Sequence, residues 1–87
     1  MRASYLIQLI EDFCKENNLD ISKIYKKIAE VYQGQWGINI DIKMKSDGFY
    51  SMPEYLEQLG IIERYVTILN GFKFMIKNDY DLELDKI

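Results

Sequence analysis

The sequence predicts a small α+β protein, with two antiparallel helices, a strand, a short helix and a β-hairpin, in which the helices pack on a small antiparallel sheet. Three observations favour this class. Apolar residues recur at helical spacing early in the chain, they alternate with polar residues in the middle, and an Asn-Gly pair separates two apolar runs near the end. The chain has 87 residues, so we expect one domain with a narrow margin of stability.

Two amphipathic helices are predicted before residue 38. The first covers residues 3–17 and ends at Asn17-Asn18, because Asn readily adopts the left-handed conformation that closes a last turn. Asp20 is the expected N-cap of the second helix, and Gly34 or Gly37 ends it. The apolar stripe of the first helix comprises Leu6, Leu9, Ile10, Phe13 and Cys14. The stripe of the second comprises Ile21, Ile24, Tyr25, Ile28, Val31 and Tyr32.

Residues 38–45 change the period. Apolar and polar residues alternate strictly there, four against four, which predicts a strand with one buried face. Asp47-Gly48 then supplies the positive φ angles of a tight turn. Ser51 and Glu54 have the spacing of a capping box at the start of a third helix, which Gly60 closes.

Residues 61–69 fit two structures. Their apolar residues match a helix face that continues past Gly60, but the β-branched run Val66-Thr67-Ile68 and the following Asn70-Gly71 pair favour a strand and a two-residue hairpin loop. The hairpin is the interpretation we adopt. One face of it would hold Tyr65, Thr67, Leu69, Phe72, Phe74 and Ile76.

A short helix that runs into a Gly-closed hairpin, over residues 51–77, resembles the last helix and wing of winged-helix proteins. The resemblance rests on the order of the elements, and it implies a nucleic-acid-binding regulator. The cations expected on one outward sheet face, which would contact phosphates, are Lys43, Lys45, Arg64, Lys73 and Lys77. Lysines on an open sheet face also protect against edge pairing, and the acidic pI of about 4.8 favours that second interpretation.

The composition argues against most kinds of catalytic and metal-binding site. One Cys and no His leave no internal disulfide, no usual zinc or iron–sulfur ligand set, and no base to activate the Cys14 thiol. We therefore predict no enzyme, no cofactor and no metal site. No apolar run reaches the length of a membrane span, so a cytoplasmic protein is expected. The excess of Ile over Val and of Lys over Arg indicates A/T-rich codons, and hence a low-GC bacterium or its phage.

The net charge of −3 lies entirely in residues 79–87, which we predict to be an acidic tail or edge strand that follows a domain of residues 1–78. If this segment is extended, its carboxylates face one way: Asp79, Asp81, Glu83 and Asp85. Tyr80, Leu82 and Leu84 then face the other way. Such a segment could add to a partner's sheet or imitate a phosphate backbone. It could equally be a solvated terminus.

Aromatic residues complete the candidate site. Trp36 follows the second helix and either packs beneath the helices or is exposed. In the exposed case, Trp36, Tyr32 and Tyr50 would form the centre of a protein interface. Our leading hypothesis is a small non-catalytic protein-binding regulator or inhibitor, antitoxin-like or anti-CRISPR-like, that acts through the acidic tail and this Tyr/Trp surface. The alternatives are the nucleic-acid-binding regulator and a self-associating structural protein that forms a homodimer through its hairpin or tail edge.

Overall fold

The computed structural model describes residues 1–84, and within that range it contains five α-helices and no strand. The predicted α+β class is therefore wrong, and the fold is all-helical. The helices are α1 (Ala3–Asn17), α2 (Ile21–Trp36), α3 (Ile40–Ser46), α4 (Met52–Leu59) and α5 (Ile62–Lys77). No helix in this part of the chain is long and apolar enough to cross a membrane.

The two predicted N-terminal helices are confirmed, together with the residues that bound them. Asn18 takes the left-handed conformation, with a φ of 54°, and ends α1. The Asp20 carboxylate accepts hydrogen bonds from the backbone N–H groups of Ser22 and Lys23, as expected of an N-cap. The Ser22 hydroxyl, which donates to the same carboxylate, and these backbone bonds lower the pKa of Asp20. Gly37, with a φ of 70°, closes α2.

The predicted strand at residues 38–45 is wrong, because this segment forms α3. Asn39 caps the helix, and its Oδ1 accepts a hydrogen bond from the Ile42 N–H at 3.1 Å. Ile40 and Met44 are buried, whereas Ile42 is 65% exposed. Ile40 and Met44 are four residues apart. This spacing places two side chains on the same face of a strand and also on the same face of a helix, so the alternating pattern fits both structures. The first apolar residue of the pattern, Ile38, precedes the helix.

The predicted hairpin is also wrong, since residues 62–77 form one continuous helix. The buried side chains of α5 follow a helical period: Ile62, Tyr65, Ile68, Leu69 and Phe72. Asn70 and Gly71 lie inside the helix, and Gly71 does not have a positive φ. A glycine there costs about 1 kcal/mol relative to alanine, which the burial of several large side chains outweighs. The wing of the resemblance and the hairpin edge of the predicted dimer are therefore absent from residues 1–84.

The third predicted helix is confirmed as α4, and Gly60 closes it with a φ of 72°. The capping box does not form, because the Ser51 side chain makes no cap hydrogen bond. Glu57 in α4 instead accepts a hydrogen bond from the backbone N–H of Ala3 at 2.7 Å, which satisfies a donor at the start of α1.

The helices enclose one core. α1 and α5 contact each other, and each also packs on α2 and α4, while α3 bridges α2 and α4. Three tyrosines are among the most buried side chains, namely Tyr32, Tyr55 and Tyr65. Leu82, beyond α5, is only 5% exposed and joins the same cluster. The core therefore includes part of the segment that the sequence assigns to a tail.

Candidate functional site

A groove of about 600 Å³ lies between α2 and α3 and extends to the loop before α4. Tyr25 and Ala29 line it from α2, Met44 from α3, and Tyr50 and Met52 from the loop and the start of α4. A second hollow of about 370 Å³ shares Tyr25, Tyr50 and Met52 with the groove. Tyr50 therefore borders both hollows, and it is 94% exposed.

The loop that carries Tyr50 is held from both sides. The buried Tyr55 hydroxyl donates a hydrogen bond to the Asp47 carboxylate at 2.5 Å, and the Tyr55 ring lies 5.1 Å from the ring of Phe49. Burial, followed by this hydrogen bond and the charge of Asp47, raises the pKa of Tyr55 to about 12. Gly48 turns the chain with a φ of 81°. Tyr50 thus projects from a loop whose neighbouring residues are anchored.

Charged residues of both signs surround the groove. Asp41 and Lys45 form an ion pair at 3.1 Å along α3, and Glu30 lies 3.9 Å from Lys27 on α2. Lys26 also lines the groove, and the structure gives it no ion pair within residues 1–84. Among the charged residues that line the groove, Lys26 is therefore the one without an ion pair within residues 1–84.

The predicted aromatic trio is not brought together as a surface. Tyr32 is 1% exposed, and its ring stacks on Trp36 with 4.6 Å between centroids. Trp36 remains 38% exposed at the end of α2. Neither residue lines the groove that Tyr50 borders. Only Tyr50 of the three presents most of its side chain to solvent.

The acidic segment is not extended over its described part, so the predicted edge strand is not formed there. Asp79 and Glu83 have left-handed φ angles of 62° and 59°. Asp81 accepts a hydrogen bond from the Glu83 backbone N–H at 2.8 Å, which tightens the chain between them. These three carboxylates are exposed, whereas Leu82 is buried beside a hollow at the junction of α1 and α2. Asp85 lies outside the described residues.

The predicted basic sheet face does not exist in the described chain. Lys43 and Lys45 lie on α3, whereas Arg64, Lys73 and Lys77 lie on α5, and these two helices share no contact. Lys45 pairs with Asp41, and Arg64 lies against Trp36. The five cations therefore do not form the single surface from which nucleic-acid binding was inferred.

Sequence reasoning missed the groove, because it assigned Tyr25 to a helix stripe and placed Met44 in a strand. An available signal in the sequence was the position of Tyr50, one residue beyond the Asp47-Gly48 turn and its neighbour Phe49.

Cys14 is buried, and burial followed by the nearby Asp20 charge raises the pKa of its thiol. In residues 1–84 no group of three or more His, Cys, Asp or Glu side chains could hold a metal ion. Comparison with protein-family models, curated proteins and solved structures found no match for this chain.

Proposed function

We propose that this chain is a small non-catalytic protein-binding regulator that holds a segment of its partner in the groove between α2 and α3. The observation that carries the proposal is Tyr50, which is 94% exposed at the border of two hollows. Tyrosine is enriched among the residues that dominate protein interfaces, since it offers a large apolar ring with a polar end.

The size and lining of the groove indicate what kind of segment it would hold. A volume of about 600 Å³ accepts a few side chains of a peptide or helix, as in other concave binding sites. The half-buried Met52 provides a flexible thioether side chain, which adapts to apolar groups of different shape, whereas Met44 is 6% exposed and contributes little surface. Lys26 adds a positive charge beside them. We therefore infer a partner segment with one large apolar side chain and a neighbouring carboxylate.

An inhibitor or an antitoxin-like regulator is the form of this function that the small size of the chain favours. The exposed carboxylates of Asp79, Asp81 and Glu83 remain a second proposed contact with the partner. Asp81 lines a different hollow, which has no lining residue in common with the groove. Variants can therefore test the two surfaces separately.

The test begins with a partner captured by the full chain from host lysate and then purified. Calorimetry would compare its affinity for the wild-type chain, for Tyr50→Ala and for Lys26→Glu. Tyr5→Ala serves as the matched control, because Tyr5 is 49% exposed on α1 and lines neither hollow. We expect Tyr50→Ala to cost about 2 kcal/mol of binding free energy, as interface centres do, and Tyr5→Ala to change little.

Two results would contradict the groove as the binding site. The first is that the partner still binds Tyr50→Ala and Lys26→Glu with wild-type affinity but no longer binds the chain when Asp79, Asp81 and Glu83 are replaced by their amides. The acidic segment would then be the binding site. The second is capture of nucleic acid, with an affinity that falls steeply as the salt concentration rises. The partner would then be a nucleic acid and not a protein.

A further inference from the structure

The outward face of α5 is exposed along its whole length, and it is separate from the proposed groove. The exposed residues of this helix are Glu63, Thr67, Asn70, Gly71, Lys73, Phe74 and Lys77. Glu63, Thr67, Asn70, Phe74 and Lys77 are three or four positions apart, so they form one stripe along the helix, with Gly71 and Lys73 at its two edges. None of them lines the groove or the smaller hollow beside it.

A projection and a recess lie next to each other on this stripe. Phe74 is 63% exposed, although its ring is one of the largest apolar groups in the chain. Gly71 lies one turn earlier, and a Cβ added there would meet no atom within 4 Å. The face therefore offers a ring without a partner, together with room for the close approach of another helix.

The stripe is complementary to itself in the antiparallel direction. When the two-fold axis passes between Asn70 and Gly71, each Asn70 faces Gly71 of the second copy. In the same register each Phe74 faces Thr67 of the second copy, which places a large side chain against a small one. Such pairing of one patch with itself is the geometry of a symmetric dimer.

Charge favours the same direction. Glu63 lies in the first turn of α5 and Lys77 in the last. An antiparallel second copy brings Glu63 of one chain beside Lys77 of the other at both ends of the contact, whereas a parallel copy would place like charges together.

We propose that the outward face of α5 binds a second copy of this chain, as an antiparallel symmetric pair of helices. The inference is independent of the proposed groove, because it uses other residues. One helix pair buries a modest area, so the dimer forms in the micromolar range or weaker. In the dimer both grooves stay open, which would give the regulator two binding sites.

The test is sedimentation velocity of the full chain from about 1 µM to about 1 mM, a range that brackets weak dimers. Phe74→Ala removes the ring, and we expect the dissociation constant to rise at least ten-fold. Gly71→Leu fills the recess and should raise it as much, yet it leaves the monomer folded because the site is open space. Ile42→Ala, on exposed α3 surface, is the control.

The charges provide a second test. Glu63→Lys should weaken the dimer, and the double variant Glu63→Lys with Lys77→Glu should restore it, since the opposite charges are exchanged. A chain that stays monomeric at the highest concentration would overturn the proposal. So would a dimer that tolerates both Phe74→Ala and Gly71→Leu, because its interface would then lie elsewhere.

Discussion

The guanidinium group of Arg64 lies over the indole ring of Trp36, with 5.2 Å between Cζ and the ring centroid. The same group donates a hydrogen bond of 2.8 Å from Nη1 to the Tyr32 hydroxyl, and Tyr32 stacks on Trp36. Arg64 therefore joins the C-terminal end of α2 to α5 through two contacts. The residue that was expected to bind nucleic acid has a structural role in the described chain.

The first prediction concerns this contact. Arg64→Met keeps an apolar stem but leaves the buried Tyr32 hydroxyl without its donor, so we expect a loss of about 1–3 kcal/mol in the free energy of unfolding. Urea denaturation followed by Trp36 fluorescence measures it. Lys73→Met, an exposed cation on the same helix, should change stability by less than about 0.5 kcal/mol. Equal effects of the two substitutions would show that the Arg64 contacts contribute nothing.

The second prediction concerns the C-terminal segment. Leu82→Ala should lower the free energy of unfolding by about 2–5 kcal/mol, the range for a leucine removed from a core, because Leu82 is 5% exposed. The matched control is Leu59→Ala, since Leu59 is 39% exposed and should cost less. Thermal or urea unfolding of both variants provides the comparison. If Leu82→Ala proves as harmless as a surface substitution, residues 80–84 do not belong to the core.

The third prediction concerns two glycines at which substitution by alanine should change the free energy of unfolding in opposite directions. Gly60 has a φ of 72°, which a side chain disfavours, so Gly60→Ala should destabilise the chain by about 1 kcal/mol. Gly71 lies in the interior of α5, and Gly71→Ala should stabilise the chain by up to about 1 kcal/mol. Both are measured by denaturation at concentrations that exclude dimers. Destabilisation by Gly71→Ala would instead indicate a turn at Asn70-Gly71.

The fourth prediction concerns alkaline pH. The pKa of Tyr55 is about 12 in the folded chain, against about 10 for an unfolded tyrosine. Between these values the unfolded chain loses a proton that the folded chain keeps, so the free energy of unfolding falls as pH rises. Burial raises the pKa of Tyr65 in the same direction.

Urea midpoints measured from about pH 9 to about pH 12 should therefore decrease, and Tyr55→Phe should decrease less steeply, because it has no proton to lose there. Tyr5→Phe, at an exposed hydroxyl, is the control and should follow the wild-type curve. Identical slopes for wild type and Tyr55→Phe would show that burial and the Asp47 hydrogen bond do not raise the pKa of Tyr55.

Local signals were sufficient where one structure explained the pattern. The bounds of α1 and α2 follow from Asn18, Asp20 and Gly37, each of which has a side chain or a backbone freedom that suits a helix end. The position of α4 before Gly60 follows in the same way. Tyr50, which the sequence analysis assigned to a binding surface, is 94% exposed, and its role in binding stays a prediction.

Local signals failed where two structures shared one pattern. The alternation at residues 38–45 placed Ile40 and Met44 four residues apart, which suits a strand face and a helix turn equally. Asn70-Gly71 is a strong turn signal by itself, but in α5 it lies on the solvent side, where a helix tolerates it. A strand needs neighbours to satisfy its backbone, and no described segment provides one.

The sequence by itself determined the charge balance, the lack of His with a single Cys, and the helices with unambiguous caps. Tertiary packing decided the rest. Tyr65, Leu69 and Phe72 gain more from burial against α1 and α2 as a helix than the local turn and β-branched preferences could contribute. The groove beside Tyr50 exists only because α3 is a helix that bridges α2 and α4, and the order of residues along the chain does not specify that contact.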